Sequence, residues 1–156
     1  MENLKAIIAG HDFLKGLKQS FLDKITDCAS TADFSAGKHI FQLHEKAENF
    51  YLLTKGRVAV GLDSAEKGSL LVETLDAGDV LGWSWLVPPH QWRFNAVAIS
   101  ATQAVVVNGE KLRALCEKDF EFGYEIMKRF SNVIAERLEM ANLQILDLYT
   151  LKKSQS

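Results

Sequence analysis

Residues 1–30 carry apolar side chains at the three- and four-residue spacing of an amphipathic helix. These positions are Leu14, Leu17, Phe21, Leu22 and Ile25. Lysines and aspartates lie between them, so a single face is expected to be buried. Because glycine destabilises a helix interior, Gly10 and Gly16 favour one or two short helices over one long helix.

From about residue 34 to residue 108 the pattern changes to short β-prone runs separated by turn residues. The predicted strands are His39–Leu43, Asn49–Thr54, Arg57–Leu62, Ser69–Leu75, Ala96–Ser100 and Thr102–Asn108. Six short strands at regular spacing, with no long helix among them, predict an antiparallel β-roll, a double-stranded jelly roll. A parallel βαβ fold would need helices between the strands.

Two helices are expected after the β-roll. The first is Lys111–Cys116, and a longer one runs from its predicted N-cap, Asp119, to about Tyr149. Along the longer helix, apolar or small residues recur in alternating steps of four and three. This heptad seam consists of Met127, Ser131, Ile134, Leu138, Ala141, Ile145 and Leu148. A neighbouring stripe consists of Phe122, Ile126, Phe130 and Val133.

The two stripes allow two arrangements. Together they can form one broad surface against the core, or one stripe can pack on the β-roll while the seam faces a second helix. A helix of about 45 Å would extend beyond a domain of this size. We therefore predict a homodimer through residues 127–148. The chain is expected to be one domain, 1–156, helical over 1–30, a β-roll over about 34–108 and helical again over about 110–150.

Composition narrows the functional classes. Hydrophobic residues make up 47% and charged residues 24% of the 156-residue chain, as in ordinary soluble domains. The net charge of −2 gives no sign of a basic face for nucleic acid. No apolar run approaches the roughly 18 residues of a membrane span, and no export signal is visible. The two cysteines, Cys28 and Cys116, are interpreted as buried hydrophobes in a reducing compartment, so we predict a cytoplasmic protein.

Catalytic and metal-binding patterns are missing from the sequence. His39 and His44 are five residues apart, which on a strand places their side chains on opposite faces, so a cupin metal site is not expected. Ser84 lies in Gly-Trp-Ser-Trp and not in a nucleophile elbow. The two glycine-rich phosphate-binding motifs, Gly-x-x-x-x-Gly-Lys-Ser/Thr and Gly-x-Gly-x-x-Gly, are both absent. We predict no catalytic residue, no metal and no cofactor, and therefore no enzyme.

One segment concentrates the rare residues: all three tryptophans and both prolines lie between Trp83 and Trp92. Gly82 leads into Trp83–Leu86, which can form a short helical turn whose first N–H groups lack internal partners. Such groups bind phosphate oxygens, and Arg93 can hold the same phosphate through two parallel hydrogen bonds. The alternative is a tryptophan-rich loop that fills a gap in the sandwich, with Arg93 solvated.

Four stretches resemble the cyclic-nucleotide-binding domain of catabolite-activator and Fnr-like regulators and of protein-kinase regulatory subunits. They are FSAGKHIF (34–41), AENFYLLTKGRV (47–58), LDAGDVLG (75–82) and Arg137-Leu138 on the final helix. The order of N-terminal helices, β-roll, short helix and long dimerising helix also matches. The resemblance implies a cassette, from a glycine through a short helix to an arginine, that holds a cyclic phosphate.

The resemblance also implies a set of ligand-binding residues. They are Gly82, Trp83, Ser84, Trp85, Leu86, Arg93, Phe94, Val58, Val60 and Asn142. Arg93 would neutralise the phosphate and the Trp83–Leu86 amides would hold its oxygens. Val58 and Val60 either line the purine site or pack in the core. Asn142 either binds a purine edge or is an ordinary exposed residue of the helix.

Two residues depart from the family pattern. Trp83 stands where the family has the glutamate that binds the ribose 2′-hydroxyl, and an indole has no acceptor for a hydroxyl. Phe94 replaces the small hydroxyl residue after the arginine. At the positions where some members contact the base, this chain has Ala141 and Asn142. The phosphate half of the site is therefore expected to be present and the ribose half absent.

These features predict a regulatory module that binds a cyclic nucleotide, cAMP or cGMP, or a similar phosphate-bearing molecule, and relays binding through the dimerising helix to a downstream protein. The alternative is a degenerate fold that serves dimerisation or protein interaction without binding nucleotide. The chain lacks the helix-turn-helix that follows the long helix in transcription factors of the family, so no direct DNA binding is expected.

Overall fold

The computed structural model describes residues 3–64 and 68–154. Its N-terminal part consists of α1 (Leu4–Gly10), a 3₁₀ turn (Asp12–Leu14) and α2 (Gln19–Asp27). These are the short helices that the glycines predicted, and α2 buries Phe21, Leu22 and Ile25. Residues 1, 2, 65–67, 155 and 156 of the predicted domain lie outside the described residues.

Eight strands follow within the described residues. They are β1 (Ala29–Phe34), β2 (His39–Phe41), β3 (Asn49–Lys55), β4 (Arg57–Ser64), β5 (Gly68–Asp76), β6 (Val80–Leu81), β7 (Asn95–Ala98) and β8 (Thr102–Asn108). They form two four-stranded antiparallel sheets, in the orders β1-β8-β3-β6 and β2-β7-β4-β5. The predicted fold class, an antiparallel β-roll with flanking helices and a long C-terminal helix, is confirmed.

Two strands differ from the sequence-based assignment. Ala29 and Ser30, expected at the end of the helical region, begin β1, which pairs along its whole length with β8. The side chains of β1 are mostly exposed or half-buried, so backbone hydrogen bonds at a sheet edge hold it and apolar periodicity does not mark it. The two-residue β6 was not among the predicted strands, and it pairs with β3 just before Gly82.

The core joins both sheets to the helices. At its centre, Phe130 lies 4.9 Å from Phe13 and 5.1 Å from both Phe50 and Trp85, measured between ring centroids. Trp85, Phe50 and Phe130 are fully buried. Edge-to-face aromatic pairs add about 0.5–1.5 kcal/mol each to the free energy gained by burying their area. This cluster fixes the loop that contains Trp85 to both β3 and the C-terminal helix.

The two C-terminal helices are α3 (Gly109–Lys118) and α4 (Phe120–Ser154). The predicted N-cap is confirmed, because Asp119 Oδ1 accepts a hydrogen bond from the Phe122 amide at 3.1 Å. With 35 residues, α4 is about 52 Å long. It begins against the core and continues along β5, where Gln144 Nε2 donates to the Val72 carbonyl at 2.6 Å.

Candidate functional site

A cavity of about 320 Å³ lies between α4 and the strands β4 and β5. Its walls are mainly apolar and include two aromatic rings from the loop that follows β6. The lining residues are Val60, Val72, Glu73, Trp83, Phe94, Ile134, Arg137, Leu138, Met140 and Ala141. The volume is at the lower end of the roughly 300–1,000 Å³ that small-molecule sites occupy. The cavity therefore suits a small ligand with a flat apolar part.

The loop 82–94 joins this cavity to the cassette predicted from the sequence. Trp83–Leu86 form the short hydrogen-bonded turn that was predicted, with Leu86 N donating to Trp83 O at 3.1 Å and Val87 N to Ser84 O at 3.3 Å. The Trp85 side chain is fully buried in the core. Within the described residues, the N–H groups of Trp83, Ser84 and Trp85 make no hydrogen bond. The turn thus leaves three consecutive backbone donors available to a ligand.

Arg93 lies at the far side of this loop. Its Nη2 donates to the Pro88 carbonyl at 3.2 Å, and its guanidinium lies 4.9 Å from the centroid of the Trp83 ring. Its Nη1 is buried and has no hydrogen-bond partner in the described part of the chain. A buried charged donor without a partner is costly, because its lost hydration is not replaced. An acceptor-only group such as a phosphate would satisfy it.

Gly82 is held by tertiary packing. Its φ of +97° is a backbone conformation that other residues rarely adopt. A Cβ placed on it would lie 2.6 Å from Cη2 of Trp92, whose ring stacks on Phe41 at 3.7 Å. Gly82 therefore shapes the loop through packing, and its contact with a ligand stays a prediction.

The other predicted site residues fall into two groups. Trp83, Phe94 and Val60 line the cavity. The remaining five do not: Ser84, Trp85 and Val58 are buried, Leu86 packs against the core, and Asn142 is exposed. For Val58 and Asn142 the structure thus corresponds to the plainer of the two alternatives, core packing and an exposed helical position.

Sequence inspection missed the charged pair in the cavity wall. Arg137 Nε and Glu73 Oε2 are 3.2 Å apart, and their side chains are only 18% and 20% exposed. Arg137 also donates to the Val80 carbonyl. Burial raises the pKa of Glu73, and the neighbouring Arg137 guanidinium opposes that rise. The pair connects α4 to β5 and β6 at the cavity.

A signal for half of this pair was present in the sequence. Arg137 belongs to the Arg-Leu pair that resembled the family, although no site role was predicted for it. No sequence signal pointed to Glu73, because a glutamate on a strand is ordinarily exposed. The residue that pairs with it, Arg137, comes from α4, far along the chain. Leu138 and Met140 also line the cavity.

The long helix carries its two stripes on different surfaces. Phe122, Ile126 and Phe130 are fully buried against the rest of the chain, as one predicted arrangement required. The heptad seam is largely exposed, with 49% of Met127, 61% of Leu138 and 64% of both Ile145 and Leu148 accessible. In the part of the chain that the structure describes, no element therefore covers much of the seam.

Residues 3–64 and 68–154 lack the features of two other classes of site. No three histidine, cysteine, aspartate or glutamate side chains there come together in a group that could hold a metal ion. No helix in those residues has both the length and the apolar content that crossing a membrane requires.

Comparison with known proteins identifies the family of this chain. The model of the cyclic nucleotide-binding domain family matches residues 31–119, more than half of the chain. The chain belongs to the cyclic nucleotide-binding domain family. The match covers β2–β8, the loop 82–94 and α3, so the cavity wall formed by α4 lies outside it.

Relatives of this cyclic nucleotide-binding domain include transcriptional regulators. It is 22% identical over 142 residues to a CRP-like cAMP-activated global transcriptional regulator of Mycobacterium tuberculosis, covering 91% of this chain and 62% of that protein. It is 31% identical over 110 residues to the cAMP-activated global transcriptional regulator CRP of Salmonella typhimurium, covering 67% of this chain and 50% of that protein. The chain thus spans between half and two thirds of the length of these curated relatives.

A solved structure supports the fold. The cyclic nucleotide-binding domain from Methylobacillus flagellatus superimposes with a TM-score of 0.77, covering 92% of this chain and 81% of that chain. The sequence identity is 15%, so this likeness concerns the fold.

Proposed function

We propose that this chain is a regulatory module that binds a cyclic nucleotide, or a similar phosphate-bearing small molecule, at the loop 82–94 and the adjoining cavity. One observation carries the proposal: the unpartnered, buried Nη1 of Arg93 lies on the same loop as the unpartnered N–H groups of Trp83, Ser84 and Trp85. A phosphate accepts hydrogen bonds and carries negative charge, so it would satisfy both sets of donors.

The cavity supports the remainder of the ligand. Val60, Phe94 and Ala141 offer apolar and aromatic surface to a purine. Both curated regulators named above are cAMP-activated, which makes cAMP the first ligand to test and cGMP the second. No cofactor is part of the proposal, and the protein would act through binding and not as an enzyme.

Output would pass through α4. Ile134, Leu138 and Ala141 belong to both the cavity wall and the heptad seam, so a ligand would contact the surface that faces a second helix. We infer that the module is a homodimer through residues 127–148 that signals to a downstream protein partner. The net charge of −2 argues against DNA as that partner. Two free cysteines suit the reducing cytoplasm.

A second candidate is a degenerate module that dimerises or binds a protein without nucleotide. The observation that favours it is the Trp83 ring, which lies against the Arg93 guanidinium and lines the cavity. In this alternative the indole occupies the place of a ligand and shields the arginine.

Calorimetric titration with cAMP and with cGMP tests the proposal. We expect saturable binding to the wild type and, for Arg93→Ala, a loss of about tenfold to hundredfold, the value of a charged hydrogen bond. The matched control is Arg57→Ala, which removes an exposed arginine paired with Asp76 on the other side of the hairpin. Absence of heat with both nucleotides and the wild type would favour the degenerate module.

Tryptophan fluorescence gives an independent readout. Trp85 and Trp92 are 0% and 4% exposed, so iodide quenching of the folded protein reports mainly on the partly exposed Trp83. Ligand bound beside Trp83 should lower the quenching constant, and Trp83→Phe should remove most of that change. Quenching that stays the same at saturating cAMP and cGMP would contradict binding at this site.

A further inference from the structure

The cavity holds a carboxylate that the family cassette of this chain lacks. Among the described residues that line it, Glu73 and Arg137 are charged and the others are apolar or aromatic. Burying a carboxylate in such surroundings is unfavourable unless it is paired and hydrogen-bonded. Arg137 provides the pair, with Nε 3.2 Å from Glu73 Oε2.

The ion pair leaves Glu73 with capacity to accept more hydrogen bonds. An ionised carboxylate has two oxygens with about four acceptor positions, and the contact with Arg137 Nε uses one of them. Because the side chain is 20% exposed and lines the cavity, a ligand there can reach it.

The position of the pair relates it to the loop 82–94. Arg137 also bonds to the carbonyl of Val80, the first residue of β6, which leads directly into Gly82 and Trp83. Trp83 and Glu73 line the same cavity, one from the loop and the other from β5. The Glu73 carboxylate therefore lines the same cavity as Trp83, which stands at the position where the family has an acceptor.

We propose that Glu73 accepts the hydrogen bond from the ribose 2′-hydroxyl of a bound cyclic nucleotide, in place of the carboxylate that Trp83 cannot supply. This inference rests on the proposed function. Arg137 is a positioning residue, because it holds the carboxylate at the cavity wall through the ion pair and fixes itself to β6. The ribose would then be bound by a residue of strand β5 and not by a residue of the loop 82–94.

The test compares cAMP with its 2′-deoxy analogue by calorimetry. For the wild type, removing the hydroxyl should weaken binding about tenfold to hundredfold, as expected for a hydrogen bond to a charged acceptor. For Glu73→Gln, whose neutral amide is a weaker acceptor, the ratio of the two dissociation constants should fall to about fivefold or less. Glu139→Gln, which changes an exposed carboxylate of α4 that does not line the cavity, should keep the wild-type ratio.

A double variant separates hydrogen bonding from folding. Glu73→Met with Arg137→Met replaces the pair with apolar side chains of similar length, so neither charge is left buried alone. This variant should bind the two nucleotides with nearly equal affinity. Circular dichroism confirms that each variant is folded before its ratio is measured.

The outcomes distinguish the two proposals. If the wild type binds cAMP but discriminates against the deoxy analogue as strongly as Glu73→Gln does, the role of Glu73 is overturned and the proposed function stands. Equal affinity of the wild type for cAMP and for its 2′-deoxy analogue would likewise overturn the role of Glu73 and leave the proposed function standing. If the wild type binds neither cAMP nor cGMP, the proposed function fails, and this inference fails with it.

Discussion

The two apolar stripes of α4 have similar chemistry and opposite surroundings. Phe122, Ile126 and Phe130 are 0% exposed, whereas Leu138 and Ile145 of the heptad seam are 61% and 64% exposed. The first stripe packs against the chain's own sheets and aromatic cluster. The second has no comparable cover among residues 3–64 and 68–154. The difference separates a stripe that the fold buries from one that stays accessible, which is the stripe that we propose as the dimer contact.

The largest effect should come from the inner stripe. Phe130→Ala removes a ring that contacts Phe13, Phe50 and Trp85, and it leaves a cavity at the centre of the core. We expect the free energy of unfolding to fall by about 3–5 kcal/mol. Urea denaturation at low protein concentration measures it. The matched control, Phe120→Ala, removes a phenylalanine of the same helix that is 83% exposed, and should cost about 0.5 kcal/mol or less. An equal loss of unfolding free energy in the two variants would contradict the distinction between the two stripes.

The next effect concerns the seam. Ile145→Glu places a charge at the predicted dimer contact, and in a symmetric dimer the change occurs twice. Because each buried isoleucine contributes about 1.5–3 kcal/mol, the dissociation constant should rise about hundredfold or more in sedimentation equilibrium. Thr150→Glu adds the same charge one turn away on another face and should associate like the wild type. A wild type that sediments as a monomer at every concentration would refute the seam as a dimer contact.

The smallest effect is a pH dependence that should act on the inner stripe alone. His11 is buried, its Nε2 donates to the Leu53 carbonyl at 3.0 Å, and its Nδ1 accepts from the Phe13 amide at 3.2 Å. It thereby holds Phe13 against Phe130. Burial lowers the pKa of His11 below 6.5, and the Leu53 carbonyl, Asp12 and Asp79 oppose that shift in part.

The direction of this pKa shift determines how the stability of the fold depends on pH. The neutral ring is favoured in the folded state, so its contribution to stability is complete above about pH 6.5 and declines as the pH falls below that value toward the folded pKa. Urea unfolding from pH 7.5 to pH 5 should show a smaller loss of stability for His11→Gln than for the wild type. The dimer dissociation constant should change equally in both proteins. Identical pH profiles of stability would show that His11 does not titrate with folding.

Local patterns were sufficient where burial marks the sequence. The stripes of α4 were predicted from their helical repeat, and β3 and β8 from short β-prone apolar runs between turn residues. β1 was missed because its side chains are exposed or half-buried, and backbone pairing with β8 leaves no apolar run. The short turn expected at Trp83–Leu86 is present, but the burial of the Trp85 indole beside Phe50 depends on tertiary packing.

The site was predictable where its residues are neighbours in sequence or match the family pattern. Trp83, Arg93 and Phe94 belong to one short segment, and their rare types and spacing revealed them, while the resemblance pointed to Val60 on β4. Glu73 and Arg137 become a pair only when α4 packs on β5, a contact that no local pattern records. The packing of Trp92 against Gly82 is likewise a tertiary contact.

The hydrogen bond from Gln144 to the Val72 carbonyl holds α4 against β5. From there to its end at Ser154 the helix runs on for about 15 Å. Over this distance a change of direction at Gln144 is amplified, because a stiff helix transmits rotation without bending. A tilt of about 10° at Gln144 would carry the helix end through about 2.5 Å. A ligand that tilts α4 at the cavity wall would therefore displace the end of the helix by more than it displaces the wall.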